Sequence, residues 1–241
     1  MSVSNAPPKP IENRLLAALP DDEYQRLVPH LEGVSLPLHK IIYEPGEPIS
    51  HVYFPHQAMV SLVSTMLNGS TVEVGVVGNE GMVGLPVIWG GNTTTTSAFI
   101  QVADGGMRME SLRLLAEFNR GGALQRLLLR YMQALHTQVS QTAACNRLHS
   151  VEARLARWLL MVSDCVRSDQ FKVTQEFIAQ MLGTRREGVT VAAGTLSQAG
   201  IIRYTRGRIT ILDRENLKLT SCECYRVTKD EFARLLGTGC D

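Results

Sequence analysis

The sequence predicts an α+β fold: a β-roll of the jelly-roll type, then one long helix, then a winged helix-turn-helix near the C-terminus. Three observations predict it. Short β-rich segments separated by turn signals fill residues 34–109. An apolar pattern of helical period covers residues 123–145. Two short amphipathic helices that meet at Gly183 come next, and an alternating segment rich in arginine follows them.

The N-terminal part is predicted to begin with helices. Residues 12–31 indicate one or two short helices, with a helix start at Pro20-Asp21-Asp22. The residues ahead of them lack the apolar core of a secretory signal, so we expect a short disordered lead-in. No apolar run reaches eighteen residues, which argues against a membrane span. In the β-rich part, Asn68-Gly69 lies between two alternating segments and predicts a hairpin.

The long helix carries a heptad-like seam whose residues alternate four and three apart, from Leu124 to Cys145. We predict that this seam contacts a second copy of the chain through Leu124, Leu128, Tyr131 and Leu135. The alternative is that the helix lies on its own β-domain, and a long helix can do both. A further amphipathic helix over residues 149–167 leads into the helix-turn-helix.

The helix-turn-helix segment has the caps and the buried faces of two helices. We predict that Thr174 caps the first helix and that Thr184 caps the second in a capping box with Glu187. Arg185, Arg186 and Glu187 project from the start of the second helix, which such folds present to base edges in the major groove. An ordinary pair of core helices is the alternative. The predicted buried residues are Phe177, Ile178, Met181 and Leu182 in the first helix, and Val189, Ala192, Ala193 and Leu196 in the second.

A basic hairpin follows. Residues 204–212 predict two short strands that turn at residues 206–208, and Arg203, Arg206 and Arg208 surround the turn. Residues 147–214 hold eleven Lys or Arg and six Asp or Glu, whereas the rest of the chain holds thirteen and seventeen. This asymmetry is typical of a nucleic-acid-binding part joined to a neutral or acidic part.

The order of elements resembles the CRP/FNR family of bacterial transcription regulators over almost the whole chain. Residues 183–189 match the family's Gly-x-x-Arg-Glu-x-Val entry to the recognition helix, and residues 174–179 match the Thr-x-x-x-Ile-Ala helix before it. The resemblance implies that Arg186 and Glu187 read base edges and that Arg185 reaches a base or a phosphate. Val191 stands where relatives often carry another arginine, so the target sequence is expected to differ. We expect contacts to the DNA backbone from Arg147, Arg154, Thr174, Thr184, Thr190, Arg203, Arg206 and Arg208.

The predicted function is a homodimeric, sequence-specific transcription regulator in the cytoplasm that binds a palindromic operator in double-stranded DNA. RNA polymerase is a further partner if the protein activates, and no membrane partner is expected. The alternative is a ligand- or partner-binding module whose DNA-binding half is weak or vestigial. No catalytic motif appears, so an enzyme is not expected. The predicted domains are a sensor over residues 1–120, a dimerisation helix over 121–146, a winged helix-turn-helix over 147–218 and a tail over 219–241.

The sequence leaves open whether the β-roll binds an effector. Family members that bind cyclic AMP carry a Gly-Glu-x-Gly segment and an Arg-Ser pair, but here no Lys or Arg lies between Lys40 and Arg108. Since a buried phosphate needs a cation or many N–H donors, this argues against a cyclic nucleotide. The predicted pocket residues are Glu80, Gly81, Thr95 and Thr96.

No cofactor or metal is expected from the sequence. The chain has no cysteine before Cys145, which argues against the iron–sulfur branch of the family, and a haem would have only His51 and His56 nearby as ligands. The odd count of five cysteines favours reduced thiols. Cys222-Glu223-Cys224 has no second ligand pair at the spacing of a zinc finger or ribbon.

Overall fold

The computed structural model describes residues 11–237. The predicted lead-in lies mostly outside these residues. Two short helices, α1 (Arg14–Ala17) and α2 (Asp21–Leu27), open the described chain, and α2 begins directly after Pro20 as predicted. Asn13 accepts a hydrogen bond from the Leu16 amide and donates to the Pro55 and Gly81 carbonyls, so it caps α1 and ties it to the β-roll.

The β-roll consists of two antiparallel sheets. One has the strand order β1-β7-β3 and the other β2-β6-β4-β5. Phe54, Val60, Ile100 and Met109 are fully buried between them. The predicted hairpin at Asn68-Gly69 joins β4 to β5. The strands are β1 (Glu32–Leu36), β2 (Ile41–Tyr43), β3 (His51–Pro55), β4 (Met59–Thr65), β5 (Thr71–Val77), β6 (Ser97–Val102) and β7 (Asp104–Glu110), with a 3-10 helix at Leu85–Trp89.

Two helices follow the roll. α3 (Ser111–Asn119) is separated from α4 (Ala123–Leu148, 26 residues) by a short turn in which Gly121 and Gly122 both have a positive φ. α4 ends three residues later than predicted. It packs on β5 and on the C-terminal helix.

The C-terminal half is a winged helix-turn-helix followed by two further helices. Its small sheet has the order β8-β10-β9. The prediction of an α+β fold is therefore confirmed. The final helix, α9 (Cys224–Leu236), begins five residues earlier than predicted. None of the helices among residues 11–237 is long and apolar enough to cross a membrane. The elements are α5 (Val151–Val166), β8 (Gln170–Lys172), α6 (Gln175–Met181), α7 (Arg186–Gln198), β9 (Ile202–Thr205), β10 (Arg208–Ile211), α8 (Arg214–Thr220) and α9 (Cys224–Leu236).

The predicted dimer seam of α4 is wrong, because the chain buries it against itself. Leu124, Leu128, Tyr131 and Leu135 are all at most 6 % exposed and belong to the core that the β-roll shares with α9. The Tyr131 ring meets Phe232 of α9 edge to face, with ring centroids 6.3 Å apart. An apolar stripe shows that a helix face is buried but not what covers it. The structure therefore agrees with the alternative interpretation, in which α4 lies on the β-domain of its own chain.

Candidate nucleic-acid interface

The turn between α6 and α7 is built by a glycine. Gly183 has a φ of 56°, its N–H donates to the Gln180 carbonyl, and the Thr184 N–H donates to the Ala179 carbonyl. This is the Schellman pattern that closes a helix through a left-handed residue. Thr174 caps α6 as predicted, since its hydroxyl accepts from the Phe177 amide at 3.1 Å.

The predicted capping box at Thr184 is wrong. α7 begins at Arg186, and its N-cap is Arg185, whose side chain makes no capping bond. The physical reason is that Thr184 still belongs to the closing turn of α6, so the chain first becomes extended at Arg185. Since no side chain in the described chain caps α7, its first N–H groups can face an acceptor such as a phosphate oxygen.

α7 has one buried face and one exposed face. Val189, Ala192, Ala193 and Leu196 are buried against α5 and α6, as predicted. Arg185, Arg186 and Glu187 are exposed at the start of the helix. On the exposed face, Thr190 Oγ1 lies 3.0 Å from both the Arg186 carbonyl and Gln175 Oε1, and Val191 is 70 % exposed. The exposed residues of α7 therefore form a surface with two cations and one carboxylate at its leading end.

The basic hairpin after α7 is the wing of the winged helix-turn-helix. Its turn has two residues, one fewer than the turn over residues 206–208 predicted from the sequence. β9 and β10 are joined by Arg206 and Gly207 alone, and both have a positive φ, which is the conformation of a two-residue type I′ hairpin. The Gly207 carbonyl accepts from the Val173 amide, and the Tyr204 hydroxyl donates to the Val173 carbonyl, so the hairpin is fixed to the strand that precedes α6. The wing arginines Arg203, Arg206 and Arg208 are all exposed.

The start of α7 opens on a cleft of about 1010 Å³ whose opposite wall is the hairpin between β4 and β5. Gln180 Nε2 donates to Thr71 Oγ1 at 2.5 Å, which joins α6 to that hairpin. Arg147 is exposed at the end of α4. Arg154 is 6 % exposed and donates to the Leu182 carbonyl and to Asn146, so its prediction as a phosphate contact is wrong: it holds the end of α6 in place.

The predicted effector residues lie in two separate loops. Glu80 and Gly81 follow β5, and Thr95 and Thr96 precede β6. None of the hydrogen bonds within residues 11–237 joins the first pair to the second, so a pocket formed by all four stays a prediction. The Tyr131 ring fills the space beside Gly81, where an added Cβ would lie 2.3 Å from the phenol oxygen.

Glu80 lies in a cavity that is also lined by residues of α5 and α9. Its carboxylate accepts from the Gly78 amide at 2.9 Å, and burial raises its pKa. It lines a cavity of about 90 Å³ that Asp164, Cys165 and Tyr225 share. A drug-sized or nucleotide-sized ligand needs about 300 Å³ or more, so this cavity suits a few water molecules.

The structure assembles two groups that the sequence reasoning missed. Cys145 and His149 meet Cys222 and Cys224 where α4 joins α5. The signal in the sequence was a cysteine and a histidine four residues apart on one helix, besides the Cys-x-Cys pair. Glu73 is the second case: it is buried between β4, β6 and α5, and accepts from Ser61 Oγ at 2.6 Å and from Trp158 Nε1 at 3.0 Å.

Comparison with known proteins agrees with this geometry. Residues 153–220 match the family model of the Crp-like helix-turn-helix domain. The matched range begins in α5 and ends with α8, and it contains α6, α7 and both wing strands. Residues 153–220 are therefore similar to the Crp-like helix-turn-helix domain. No curated protein sequence matches the chain significantly.

Solved structures extend the likeness to the β-roll and the long helix. FixK2 from Bradyrhizobium japonicum has a TM-score of 0.68 at 17 % identity, over 80 % of this chain and 98 % of that one. A transcriptional regulator of the CRP/FNR family from Thermus thermophilus has a TM-score of 0.65 at 22 % identity, over 79 % and 98 %. The c-di-GMP-responsive global regulator CLP from Xanthomonas campestris has a TM-score of 0.65 at 15 % identity, over 80 % and 99 %. The chain has the CRP/FNR fold, which confirms the resemblance drawn from its sequence.

Proposed function

We propose that the protein is a homodimeric, sequence-specific DNA-binding transcription regulator that reads a palindromic operator through α7. One observation carries the proposal: in the part similar to a Crp-like domain, Arg185, Arg186 and Glu187 are exposed at the start of α7, and the N-cap residue Arg185 makes no side-chain capping bond. A helix with an uncapped, cationic first turn suits the major groove, since bases lie ahead of it and phosphates lie on either side.

The base contacts follow from donor and acceptor geometry. The Arg186 guanidinium can donate two parallel hydrogen bonds to guanine O6 and N7, and Glu187 can accept from the cytosine amino group. Val191 offers methyl groups, which suit the methyl group of thymine. The wing arginines and the first N–H groups of α7 are assigned to phosphates, which position the protein without selecting a sequence.

The exposed side of α4 is the proposed contact between the two copies. Leu129 is 43 % exposed there, next to Met132, whose sulfur accepts a hydrogen bond from Trp89 Nε1 at 2.7 Å. Trp89 itself is 57 % exposed. A large aromatic side chain beside exposed aliphatic ones is typical of a protein interface. Two-fold pairing along α4 would place two copies of α7 about one helical turn of DNA apart.

The remaining partners and the effector are also proposals. We propose that the protein acts in the cytoplasm, where its proposed DNA target lies, with RNA polymerase as a partner if it activates. A cyclic nucleotide is not proposed as effector, because no cationic side chain lies between Lys40 and Arg108 and Tyr131 occupies the space beside Gly81. An enzymatic activity is not proposed either.

The test is a selection of bound sequences from random duplex DNA with the purified full-length protein, with and without cyclic AMP. A two-fold symmetric motif enriched equally under both conditions is the expected result. Enrichment only with cyclic AMP would contradict the effector proposal. Binding without any enriched sequence, or no binding at all, would favour the alternative of a vestigial DNA-binding half.

A further inference from the structure

Three cysteines and one histidine converge at the hinge between α4 and α5. Cys145 lies in the last turn of α4, and His149 is the C-cap residue of that helix. Cys222 lies two residues before α9 and Cys224 is its first residue, and α9 returns along α4. The ligand atoms of all four residues lie within 4.8 Å of one another. Cys145 and Cys222 are 77 positions apart in the chain, so the fold alone brings them together.

Two of the distances between ligand atoms are close to those of a tetrahedral metal site, and all of them are within 4.8 Å. Cys145 Sγ lies 3.4 Å from Cys222 Sγ, and Cys224 Sγ lies 3.6 Å from His149 Nδ1. Around a zinc ion with Zn–S bonds of about 2.3 Å and Zn–N bonds of about 2.0 Å, neighbouring ligand atoms are about 3.5–3.8 Å apart. The three cysteines are at most 7 % exposed, so four protein ligands would close the site. Closed sites of this kind are structural rather than catalytic.

The histidine is already oriented for ligation. His149 Nε2 lies 3.3 Å from Glu223 Oε2, and Nδ1 faces Cys224. A carboxylate that accepts from one ring nitrogen fixes the tautomer in which the other nitrogen is free to bind a metal. Glu223 stands between the two cysteines of the Cys-x-Cys pair, so one short segment supplies two ligands and the group that orients a third.

The charge around the cluster gives an independent reason for an anionic group there. Arg154 and Arg157 are 6 % and 4 % exposed, and the Nε atom of each has no hydrogen-bond partner within the described chain. Both guanidinium groups act electrostatically on Cys145 and Cys222. A buried cation is costly without a nearby anion. Three thiolates around Zn²⁺ carry a net charge of −1 and would supply it.

We propose that Cys145, His149, Cys222 and Cys224 bind one Zn²⁺ ion, which joins the C-terminal segment to the hinge between the long helix and the DNA-binding domain. Sulfur and nitrogen ligands in a tetrahedral arrangement suit zinc and do not suit magnesium or calcium. Because α5 begins two residues after His149 and packs on α7, the ion would fix the direction of α5, and with it the position of α7, relative to the long helix. A disulfide between Cys145 and Cys222 is the competing chemistry.

The experiment measures metal in the protein, so its outcome is independent of DNA binding. Full-length protein purified under reducing conditions is analysed by elemental mass spectrometry, and one zinc per chain is expected. Cys222→Ser and Cys224→Ser should each lose the metal. Cys165→Ser is the matched control, because Cys165 is also buried but lies in α5, outside the cluster.

Titration of the metal-free wild-type protein with Co²⁺ tests the site without the cysteine variants, so the result does not depend on whether those variants fold. Stoichiometric binding with thiolate-to-cobalt charge-transfer absorption, displaced by Zn²⁺, supports the proposal. Absence of metal both as purified and after incubation with Zn²⁺ in reductant would overturn it. So would an equal loss of metal in Cys165→Ser, or a Cys145–Cys222 disulfide as the persistent form under the same reducing conditions.

Discussion

The buried carboxyl group of Glu73 makes a quantitative prediction about stability. Glu73 is on β5, is 6 % exposed, and accepts a hydrogen bond from Trp158 of α5. It therefore lies where the β-roll meets the DNA-binding domain. Burial raises the pKa of this carboxyl group from 4.5 to about 7, although the hydrogen bonds from Ser61 and Trp158 and the charge of Arg157 each lower it.

The direction of the change in stability with pH follows from comparing the protonation of Glu73 in the folded and unfolded states. Well below pH 4.5 the carboxyl group is protonated in both states and adds no pH dependence to the stability. Between pH 4.5 and about 7 the unfolded chain releases the proton more readily, so the free energy of unfolding falls as the pH rises. Above pH 7 the loss is complete and amounts to about 3 kcal/mol, from about 1.4 kcal/mol for each pH unit between the two pKa values.

Replacing the acid by its amide tests this. Glu73→Gln keeps an oxygen that can accept from Trp158 but cannot ionise. In urea unfolding we expect the variant to be more stable than the wild type by about 0.7 kcal/mol at pH 5 and by up to about 3 kcal/mol at pH 8, because pH 5 is only half a unit above the unfolded-state pKa. The fluorescence of the two tryptophans, Trp89 and Trp158, at a fixed protein concentration follows the transition. The control is Glu187→Gln, which removes an exposed carboxylate. A stability difference between Glu73→Gln and wild type that stays the same from pH 5 to pH 8 would refute the reasoning.

Three further predictions concern the DNA surface, the dimer and the roll. Arg186→Ala should weaken binding to the selected operator by about 1–3 kcal/mol and relax the choice of base at the contacted position. Arg206→Ala should weaken binding to all DNA sequences alike and lower the salt dependence of binding. Titration of labelled duplexes measures both. Leu129→Arg should turn the dimer into a monomer in sedimentation, since it places a charge in the proposed contact. Gly81→Ala should lower the stability by about 1–3 kcal/mol in thermal unfolding, because its Cβ would lie 2.3 Å from a buried phenol oxygen.

Each of these has a control within the chain. Leu112 is 79 % exposed on α3, so Leu112→Arg should leave the oligomeric state unchanged. An added Cβ at Gly194 meets nothing within 4 Å, so Gly194→Ala should not destabilise the protein. Three results would count against the predictions: equal losses on operator and random DNA for Arg186→Ala, a dimer that persists in Leu129→Arg, and an unchanged melting temperature for Gly81→Ala.

The sequence predicted the features that depend on neighbours in the chain. The Thr174 cap, the buried face of α7 and the hairpin at Asn68-Gly69 all follow from spacings of two to four residues, and the structure has all three. Capping, helical periodicity and turn chemistry act over one or two turns of backbone, so local order is enough to reveal them. The cap predicted at Thr184 was wrong although it too depends on local spacing, because Thr184 takes part in the turn that ends α6 and the N-cap of α7 is the next residue.

The tertiary structure decided which surfaces and side chains meet. The apolar pattern from Leu124 to Leu135 determined that one face of α4 is buried, but only the return of α9 and the position of the β-roll show that its own chain buries it. The cluster of Cys145, His149, Cys222 and Cys224 and the raised pKa of Glu73 have the same origin. Contacts between residues far apart in the chain, and the desolvation they impose, depend on how the elements pack, and no local spacing encodes that packing.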